Sequence, residues 1–437
     1  MPKSRLNGAL ILETLRQNAV MIMFVLLSLA GVMLSRLQPT YILMELMSRF
    51  TRNAFLILAL ILPIVAGMGI NFAITIGAMA AQIAILLVLN WKIPGTLGIF
   101  TAALLTVPLA SFFGFLIGQL LNKMKGQEMI GSMILGYFAN GLYQLLFLFI
   151  FGQLIPISNS DLTIMGATGI SNTLDLSVSY GIKYGLDNIW KLPFGQALYV
   201  FSAILAALLL TLYFLKKRSL AKTLVPLILL AVACLIFWLP SLGARLGIAN
   251  TALVKAAGTF VKQFSFVRVP MVTILAIALL GLFNILIMKT RLGQQFRAVG
   301  QSQSVANAAG INVNRTRMIA IMLSTVFAGW GQIIYLQNLG ALQTYAAHEQ
   351  VGLYAGAAIL VGGASIMRAS NGQALLGCIL FHTLFIVAPK AGINLFGDPA
   401  IGEYFRVFVS YGVIALALVM HAWKNIQRKK PGAELAR

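Results

Sequence analysis

Acidic residues are scarce in this chain of 437 residues, which holds 10 aspartates and glutamates against 32 lysines and arginines. Histidine and cysteine are scarcer still: the chain has three histidines and two cysteines. Both cysteines, Cys234 and Cys378, fall in apolar segments, so the sequence offers neither a disulfide framework nor the ligand spacing of a metal site. Charged residues make up only 10% of the chain. A soluble domain could not hide the apolar surface that this composition leaves.

Motifs for catalysis are also missing. No G-x-x-x-x-G-K-[ST] motif occurs, nor any Gly-Lys pair, so the chain has no P-loop for ATP. No Ser-His-Asp or metal-ligand arrangement stands out either. We therefore expect no enzyme active site, no catalytic residue and no cofactor bound by this chain, and transport driven by ATP would need a separate ATPase subunit.

Ionisable side chains are nearly absent from the apolar segments. Carriers coupled to protons or sodium usually need such groups within their spans, and the candidates here are His382 and His421. His382 could be a packing side chain, part of a solute pathway or a proton-coupling group, and an interfacial position accounts for His421. This shortage counts against a secondary transporter, which we keep as the alternative from another functional class.

What the chain has instead is hydrophobicity, with 59% hydrophobic residues and a mean hydropathy of +0.90. About twelve apolar segments can enter a bilayer, singly or as hairpins. Basic residues concentrate in the loops on one side, which predicts an all-α polytopic membrane protein with both termini cytoplasmic and an uncleaved first span after Met1–Asn18. We attribute the net charge of +22 to this topology and to a lipid environment, and expect no nucleic-acid partner.

A polar island, Gly293–Arg317, separates two long apolar runs. It contains basic residues and no acidic one, which places it in the cytoplasm by the positive-inside bias. Its middle predicts one short helix that Ser302 or Ser304 caps and that Gly310 ends in a left-handed conformation. The surface of this helix is small and nearly uncharged. That suits docking into a cleft of another protein, although an ordinary interhelical loop would also fit.

The island resembles the cytoplasmic coupling loop of permease subunits in the ribose, branched-chain amino acid and nucleoside ABC importers. The matching residues, at the family's spacing, are Arg297, Ala298, Gly300, Ala306, Ala309, Gly310, Ile311, Asn312 and Val313. The resemblance implies a core of ten helices in the bacterial plasma membrane, a second permease subunit, an external substrate-binding protein, and ATP-Mg held by an ABC ATPase subunit. It further implies that the residues coupling to this ATPase are Arg297, Gly300, Ser302, Ala306, Ala308, Ala309 and Gly310.

Two apolar stretches carry the resemblance further. Ala54–Asn90 is too long for one span, and GMGINFAITIGAMA within it resembles a family motif in which aspartate commonly stands at the position of Asn71. Val351–Pro389 repeats the pattern with its own glycine-rich interruption. We expect a hairpin of short or broken helices in each, because glycine and asparagine are tolerated at depth only where they face protein or a cavity. Pro39–Asn53 is expected to be an external, interfacial stretch.

The substrate is indicated by one stretch only. Residues 127–142, QEMIGSMILGYFANGL, resemble nucleoside-type permeases, which favours a nucleoside and leaves a simple sugar of the ribose type as the alternative. Amides, hydroxyls and aromatic rings would line a path for a polar, uncharged solute, and packing between helices is the alternative role for each of them. The candidates are Gly69, Asn71, Thr75, Asn140, Tyr143, Gln144, Asn284 and Ser365.

Residues 151–268 have no counterpart in the resemblance. They contain an extra apolar hairpin around basic residues at 216–222, followed by an amphipathic stretch within Pro240–Arg268 that would lie on the outer leaflet or pack on neighbouring spans. We therefore divide the chain into the N-terminal half of a permease domain (1–150), this insertion (151–268), and a C-terminal half (269–437) with the coupling loop at 289–317.

Overall fold

The structure, a computed structural model, describes residues 19–124, 126–164, 169–214, 220–247 and 251–408, together with residues 411, 412, 415 and 419. The predicted cytoplasmic N-terminus, the basic residues 216–218, His421 and the C-terminal tail lie outside the described residues.

Helices make up most of the described chain. Those before the insertion are α1 (Ala19–Ser35), α2 (Pro39–Ala59), α3 (Ile61–Val65), α4 (Ile74–Asn90), α5 (Gly95–Lys123) and α6 (Glu128–Leu145). A π-helical turn (Leu146–Ile150) and a 3-10 turn (Ser160–Leu162) precede the strands β1 (Thr173–Asp175) and β2 (Lys191–Pro193). Next come α7 (Phe194–Phe214), α8 (Leu220–Arg245), α9 (Ala252–Phe264) and β3 (Arg268–Pro270). The chain continues through α10 (Met271–Ile287), α11 (Arg291–Gln301), α12 (Gln303–Ala308), α13 (Val313–Leu339), β4 (Ala341–Gln343), α14 (Val351–Val361) and α15 (Asn371–Phe396).

Seven helices of the described residues are long and apolar enough to cross a membrane, or eight if α10 and α11 form one bent span. Those two helices meet at 77°, and α11 carries Arg291 and Arg297, so the bend lies where apolar sequence gives way to polar sequence. Three shorter apolar helices are α1, from Val20 onward, α4 and α14. The protein is therefore an α-helical polytopic membrane protein, and the strands among its described residues are four short pieces.

Pro39–Asn53, predicted to be an external, interfacial stretch, is helical and belongs through α2 and α3 to a candidate span, Pro39–Val65, of 27 residues. Among its charged residues, Arg52 has partners within the fold. Arg52 Nε donates to Asn338 Oδ1 at 2.6 Å, and its Nη2 donates to Ser48 Oγ at 2.7 Å.

By its internal contacts the chain divides into two units, and unit 1 comprises Met1–Leu37, Ser48–Leu186 and Thr273–Arg437. In unit 1, α13 packs against α4 and α5, and α15 packs against α1 and α14. Small residues permit this close approach, as at Gly77, where an added Cβ would lie 2.3 Å from the carbonyl oxygen of Thr325. Strands β1 and β4 pair antiparallel, with Leu174 opposite Leu342.

Unit 2 comprises Gln38–Met47 and Asp187–Val272. Strands β2 and β3 pair antiparallel at its base, α7 packs against α8, and α9 packs against α8. Phe260 and Phe264 of the predicted amphipathic stretch contact Phe237 of α8, with ring centroids 5.9 and 6.5 Å apart. Packing on a neighbouring helix therefore accounts for part of its apolar stripe.

Candidate functional site

The polar island folds into two helices, α11 and α12, where the sequence predicted one. We call residues 290–312 the coupling segment. Ser302 ends α11 and caps α12, since its Oγ accepts a hydrogen bond from the N–H of Val305 at 3.4 Å. Gly310 follows α12 with φ of +81°, a conformation that glycine adopts without steric cost. Both predicted ends of the short helix are confirmed, with Ser302 and not Ser304 as its cap.

The two faces of the coupling segment differ. Ala306 is 2% exposed and packs with Val299 and Val313, so this alanine supports the segment from within. Ala308, Ala309 and Gly310 are exposed, as is Arg297 on α11. The outer face of α12 is therefore small and uncharged, with the side chain of Val305, which is 67% exposed, as its largest apolar group.

Gly300 places the end of α11 directly on the backbone between α3 and α4. We call residues 66–73 the buried break. A Cβ on Gly300 would lie 2.0 Å from the carbonyl oxygen of Val65, and a Cβ on Gly67 would lie 2.7 Å from the Cα of Gly300. Only glycine fits at either position without moving backbone. Sequence reasoning found both glycines but had no means of pairing them.

A buried ion pair anchors the far side of the segment. Arg317, at the start of α13 and fully buried, pairs through Nη2 with Oε1 of Glu128, the first residue of α6. Beside it, Asn122 Nδ2 donates to the carbonyl oxygen of Asn314 at 2.9 Å. The sequence analysis placed Arg317 at the end of the cytoplasmic island and could not foresee this pair, because the carboxylate that pairs with Arg317 is remote in sequence.

From the buried break, a polar seam runs between α4 and α6. We use this name for Asn71, Thr75, Gln82, Asn140, Tyr143 and His348. A Cβ on Gly136 would lie 3.0 Å from Thr75 Oγ1. Two helical turns further along both helices, Tyr143 donates from its hydroxyl to Gln82 Oε1 at 2.6 Å. Between the first contact and the second, the chain moves seven residues along both α4 and α6. The two helices therefore run parallel, and their polar residues face one another.

His348, in the connection between β4 and α14, closes the seam. Its Nδ1 lies 3.0 Å from Gln82 Oε1, and its Nε2 lies 2.8 Å from Asn140 Oδ1. Burial lowers the pKa of His348 to about 4, so the ring is neutral at pH 7 and donates through one nitrogen only. Asn140 is held by its Nδ2, which donates to Glu349 Oε1 at 3.1 Å. Gln82 Nε2 has no partner among the described residues, and Gln82 Oε1 lies within hydrogen-bond distance of both the Tyr143 hydroxyl and the His348 ring.

The remaining predicted path residues lie in different surroundings. Gln144 is half-buried, next to Tyr143 in α6. Asn284 of α10 donates from Nδ2 to the carbonyl oxygen of Leu58 at 3.2 Å and lies 3.4 Å from Asn371 Oδ1, contacts that fit the packing role. Ser365 is exposed in the interruption between α14 and α15.

The buried break itself contains two of the candidates. Gly69 has φ of +70°, and Asn71 Oδ1 accepts from the N–H of Ala73 at 3.1 Å, which makes a tight local turn. Asn71 is buried and its Nδ2 has no partner among the described residues. The N–H of Phe72 donates to Ser132 Oγ of α6 at 3.0 Å. The structure thus brings Gly69, Asn71, Thr75, Asn140 and Tyr143 together, and leaves Asn284 and Ser365 outside this group.

A cavity of about 230 Å³ lies behind the connection that carries His348. It is bounded by α2, α13, α14, α15 and the residues before α14, at the end of α13 opposite the coupling segment. Glu349 joins it to the polar seam, because this side chain lines the cavity and accepts the bond from Asn140. The polar residues that line the cavity are Asn53, Tyr335, Gln343, Glu349, Gln350, Tyr354 and His382.

Comparison with known proteins connects this geometry to transport. A family model described as the permease component of the branched-chain amino acid transport system matches residues 145–418, a range that runs across the insertion. The chain is 27% identical to the xylose transport system permease protein XylH of Haemophilus influenzae, over 41% of this chain and 44% of that protein. It is 30% identical to the ribose import permease protein RbsC of Escherichia coli, over 30% and 39%.

A nucleoside ABC transporter permease protein, NupC of Lactococcus lactis, is 27% identical over 44% of this chain and 58% of that protein. The matches to XylH and RbsC span less than half the length of those relatives. No solved structure matches the chain.

Proposed function

Because the chain belongs to the family of permease components described for branched-chain amino acid transport systems, we propose that it is the membrane-spanning permease subunit of an ABC importer. It is a multi-pass protein of the plasma membrane and not itself an enzyme. In our proposal ten helices form the permease core, α7 and α8 form an added hairpin, and both termini are cytoplasmic. ATP hydrolysis takes place on a separate ATPase subunit.

The observation that carries this proposal is the coupling segment. The exposed face of α12 and the turn after it is uncharged and includes the small residues Ala308, Ala309 and Gly310, which can enter a closing cleft at little steric or electrostatic cost. The inner side of the coupling segment touches the buried break through Gly300 and Gly67. A movement imposed on α12 by the ATPase would therefore reach an interruption in the membrane helices directly.

The proposed assembly has three further partners. A second permease subunit, identical or related, would complete the pore, lipid would surround both, and an external or periplasmic binding protein would deliver the solute. Long apolar side chains of α6 and α10, such as Ile134, Phe138 and Leu279, are exposed in the isolated chain and suit contact with lipid or a second subunit.

For the substrate we propose a small, uncharged, polar solute. The resemblance of residues 127–142 to nucleoside-type permeases supports a nucleoside, and the relatives whose names indicate xylose and ribose support a simple sugar. The polar seam suits either class, since it offers amides and a phenol. Uptake that persists after ion gradients are collapsed, while ATP is maintained, would separate this proposal from a secondary transporter.

The test uses Ala308→Arg, with Ala308→Ser as the matched control. Arginine at this exposed position leaves the fold of the chain unchanged but puts a charge into the proposed contact, where an unpaired charge costs several kcal/mol. We expect normal amounts of the variant in membranes, loss of the co-purifying ATPase subunit, and loss of uptake of labelled D-ribose and uridine. The serine variant should retain all three properties. An arginine variant that keeps its ATPase would contradict the proposal.

A further inference from the structure

The short helix α9 packs across one end of the hairpin that α7 and α8 form. The rings of Phe194, which begins α7, and Phe237, in the last part of α8, lie 6.0 and 6.5 Å from the ring of Phe264 in α9. Val254, near the start of α9, fills the space beside Gly243, since a Cβ on Gly243 would lie 2.6 Å from Val254 Cγ1. Because α7 begins and α8 ends here, α9 lies at the open end of the hairpin.

This end of the hairpin is a boundary of the membrane. Phe194–Thr211 and Thr223–Arg245 are consecutive candidate spans, so the start of the first and the end of the second reach the same surface of the bilayer. Trp190, just before α7, and Trp238 of α8 are each 45% exposed. Tryptophan is enriched at membrane–water interfaces, where its amphipathic ring lies among the headgroups. Helix α9 therefore lies at the level of the lipid headgroups.

The apolar face of α9 is only partly covered by the fold. Val254 and Phe264 are buried, whereas Leu253 and Phe260 are 68% and 42% exposed. Phe266, just after the helix, is 74% exposed. An amphipathic helix in the interface places such side chains at the upper end of the acyl chains. Lipid is therefore the environment that suits the uncovered part of this face.

The opposite face of α9 is basic. Lys255 and Lys262 are seven residues apart, which places them on one side of the helix, and both are exposed, as are Arg245 and Arg268 on either side of α9 in the chain. None of these four side chains has an ion-pair or hydrogen-bond partner in the described part of the chain. From Asn188 to His348 the sequence contains no aspartate or glutamate. The negative charge that would balance them is therefore not supplied by this part of the chain.

We propose that α9 is a binding surface for anionic phospholipid. Leu253, Phe260 and Phe266 lie among the acyl chains, and the ammonium groups of Lys255 and Lys262 donate to the lipid phosphates. Each lysine close to an anionic surface favours that surface by about fivefold. An acidic protein would match the lysines but would not account for the exposed apolar side chains at the headgroup level. The proposal goes beyond the proposed transport function and does not depend on it.

The first experiment places a fluorophore on α9 and a quencher on the lipid. Ala256→Cys, at an exposed position, is labelled with bimane in a Cys234→Ala background, since Cys378 is fully buried and does not react. The full chain is placed in nanodiscs of equal parts phosphatidylcholine and phosphatidylglycerol, with bromine on the acyl chains of one lipid or the other. We expect brominated phosphatidylglycerol to quench at least about twofold more, because it gathers next to the lysines.

Salt provides a second measurement on the same protein. At 1 M salt the Debye length is about 3 Å, so the preference for phosphatidylglycerol should disappear while quenching itself remains. Equal quenching by the two lipids at low salt overturns the proposal, as does a preference that salt leaves unchanged. The absence of quenching by either lipid also overturns it, and leaves an acidic protein or a second copy of this chain as the occupant. No ATPase or transported solute is present, so these outcomes are independent of the result for Ala308→Arg.

The second experiment assigns the preference to the two lysines. Lys255→Gln with Lys262→Gln should abolish it, and Lys255→Glu with Lys262→Glu should reverse it, so that brominated phosphatidylcholine becomes the stronger quencher. The matched control is Lys123→Gln with Lys289→Gln, which removes the same charge from exposed positions at the ends of α5 and α10 and should keep the preference. A preference that persists in the folded Lys255 and Lys262 variants, or that is lost in the control, overturns the assignment. Should those variants fail to fold, the salt dependence of the unmodified protein decides.

Discussion

Two interruptions of apolar helices can be compared directly: the buried break at residues 66–73 and the exposed break, our name for residues 362–370 between α14 and α15. Each contains a glycine in the left-handed region, Gly67 and Gly363. Each also has a polar side chain that turns the chain into the next helix, Asn71 Oδ1 bonding to Ala73 N–H and Ser370 Oγ to Gln373 N–H. The two breaks therefore have similar turn residues, but they differ in the elements that surround them.

The exposed break satisfies its own hydrogen bonds. Ser365 and Arg368 pair through their backbones, and Ser365 Oγ accepts from the N–H groups of Met367 and Arg368. Behind it, α14 and α15 cross very closely, since a Cβ on Gly377 would lie 1.9 Å from the carbonyl oxygen of Ala358. The turn of this hairpin is therefore held by hydrogen bonds among its own residues.

The buried break depends on other elements. Its backbone is held by Ser132 of α6 and is covered by Gly300 of the coupling segment. The comparison teaches that a glycine-rich interruption is not in itself a moving part. The interruption whose contacts come from the coupling segment is the one that a movement of that segment would displace.

The largest effect is expected for Gly300→Val. A side chain at this position overlaps the carbonyl oxygen of Val65, and forcing the backbones apart costs about 3 kcal/mol, the upper end for overpacking. We expect uptake to fall by tenfold or more while the ATPase subunit still co-purifies, because the exposed face of α12 is unchanged. The measurement is uptake together with co-purification.

The matched control lies next to the other break. Gly372 is exposed, and a Cβ there would meet nothing within 4 Å, so Gly372→Ala should transport as the unmodified protein does. Equal losses in the two variants would mean that both interruptions simply need glycine, and the comparison would fail.

A smaller effect on uptake separates the cost of backbone strain from the cost of overlap with the coupling segment. Gly67→Ala and Gly363→Ala both put alanine in the left-handed region, which costs about 1–2 kcal/mol. Only the first also meets backbone, at 2.7 Å from the Cα of Gly300, whereas the second meets the flexible side chain of Met21 at 3.6 Å. We expect a several-fold greater loss of uptake for Gly67→Ala. Thermal unfolding of both proteins shows whether strain alone explains the result, and equal uptake would remove the contact from the mechanism.

Much of the local structure could be predicted from the sequence. Gly67, Gly69 and Gly310 marked their turns, and Ser302 marked the start of α12, because each depends on residues within one or two turns of itself. The pairings could not be predicted. Nothing within the sequence near Gly300 indicates Val65, since that contact depends on how remote helices pack.

Two contacts of charged residues could not be predicted, for the same physical reason. In the fold Arg52 and Arg317 each have a polar partner from a distant helix, Asn338 and Glu128 respectively. Four of the predicted path residues, Asn71, Thr75, Asn140 and Tyr143, share one seam in the structure, and their role in a path stays a prediction. Gln82 and His348, which complete the seam, were not among the candidates because one lies within an apolar run and the other in a short connection between elements.

The smallest expected effect is a pH dependence of stability that arises from His348 in the polar seam. The folded-state pKa of His348, about 4, is below the ordinary value of about 6.5, so the unfolded chain takes up its proton first as the pH falls. The contribution of His348 to stability is therefore complete above pH 6.5 and is lost between pH 6.5 and about 4. At pH 5.5 the loss is about 1.4 kcal/mol relative to pH 7.5. We expect the unfolding temperature of the solubilised protein to fall over this interval, and to fall less in His348→Gln, which keeps a hydrogen-bonding side chain without the titration. Identical pH profiles of the two proteins would mean that the buried ring does not control the seam. A change in uptake as the pH approaches about 4, present in the unmodified protein and absent in His348→Gln, would tie the seam to transport, since only there does the folded ring take up a proton and donate through both nitrogens, to Gln82 Oε1 and Asn140 Oδ1.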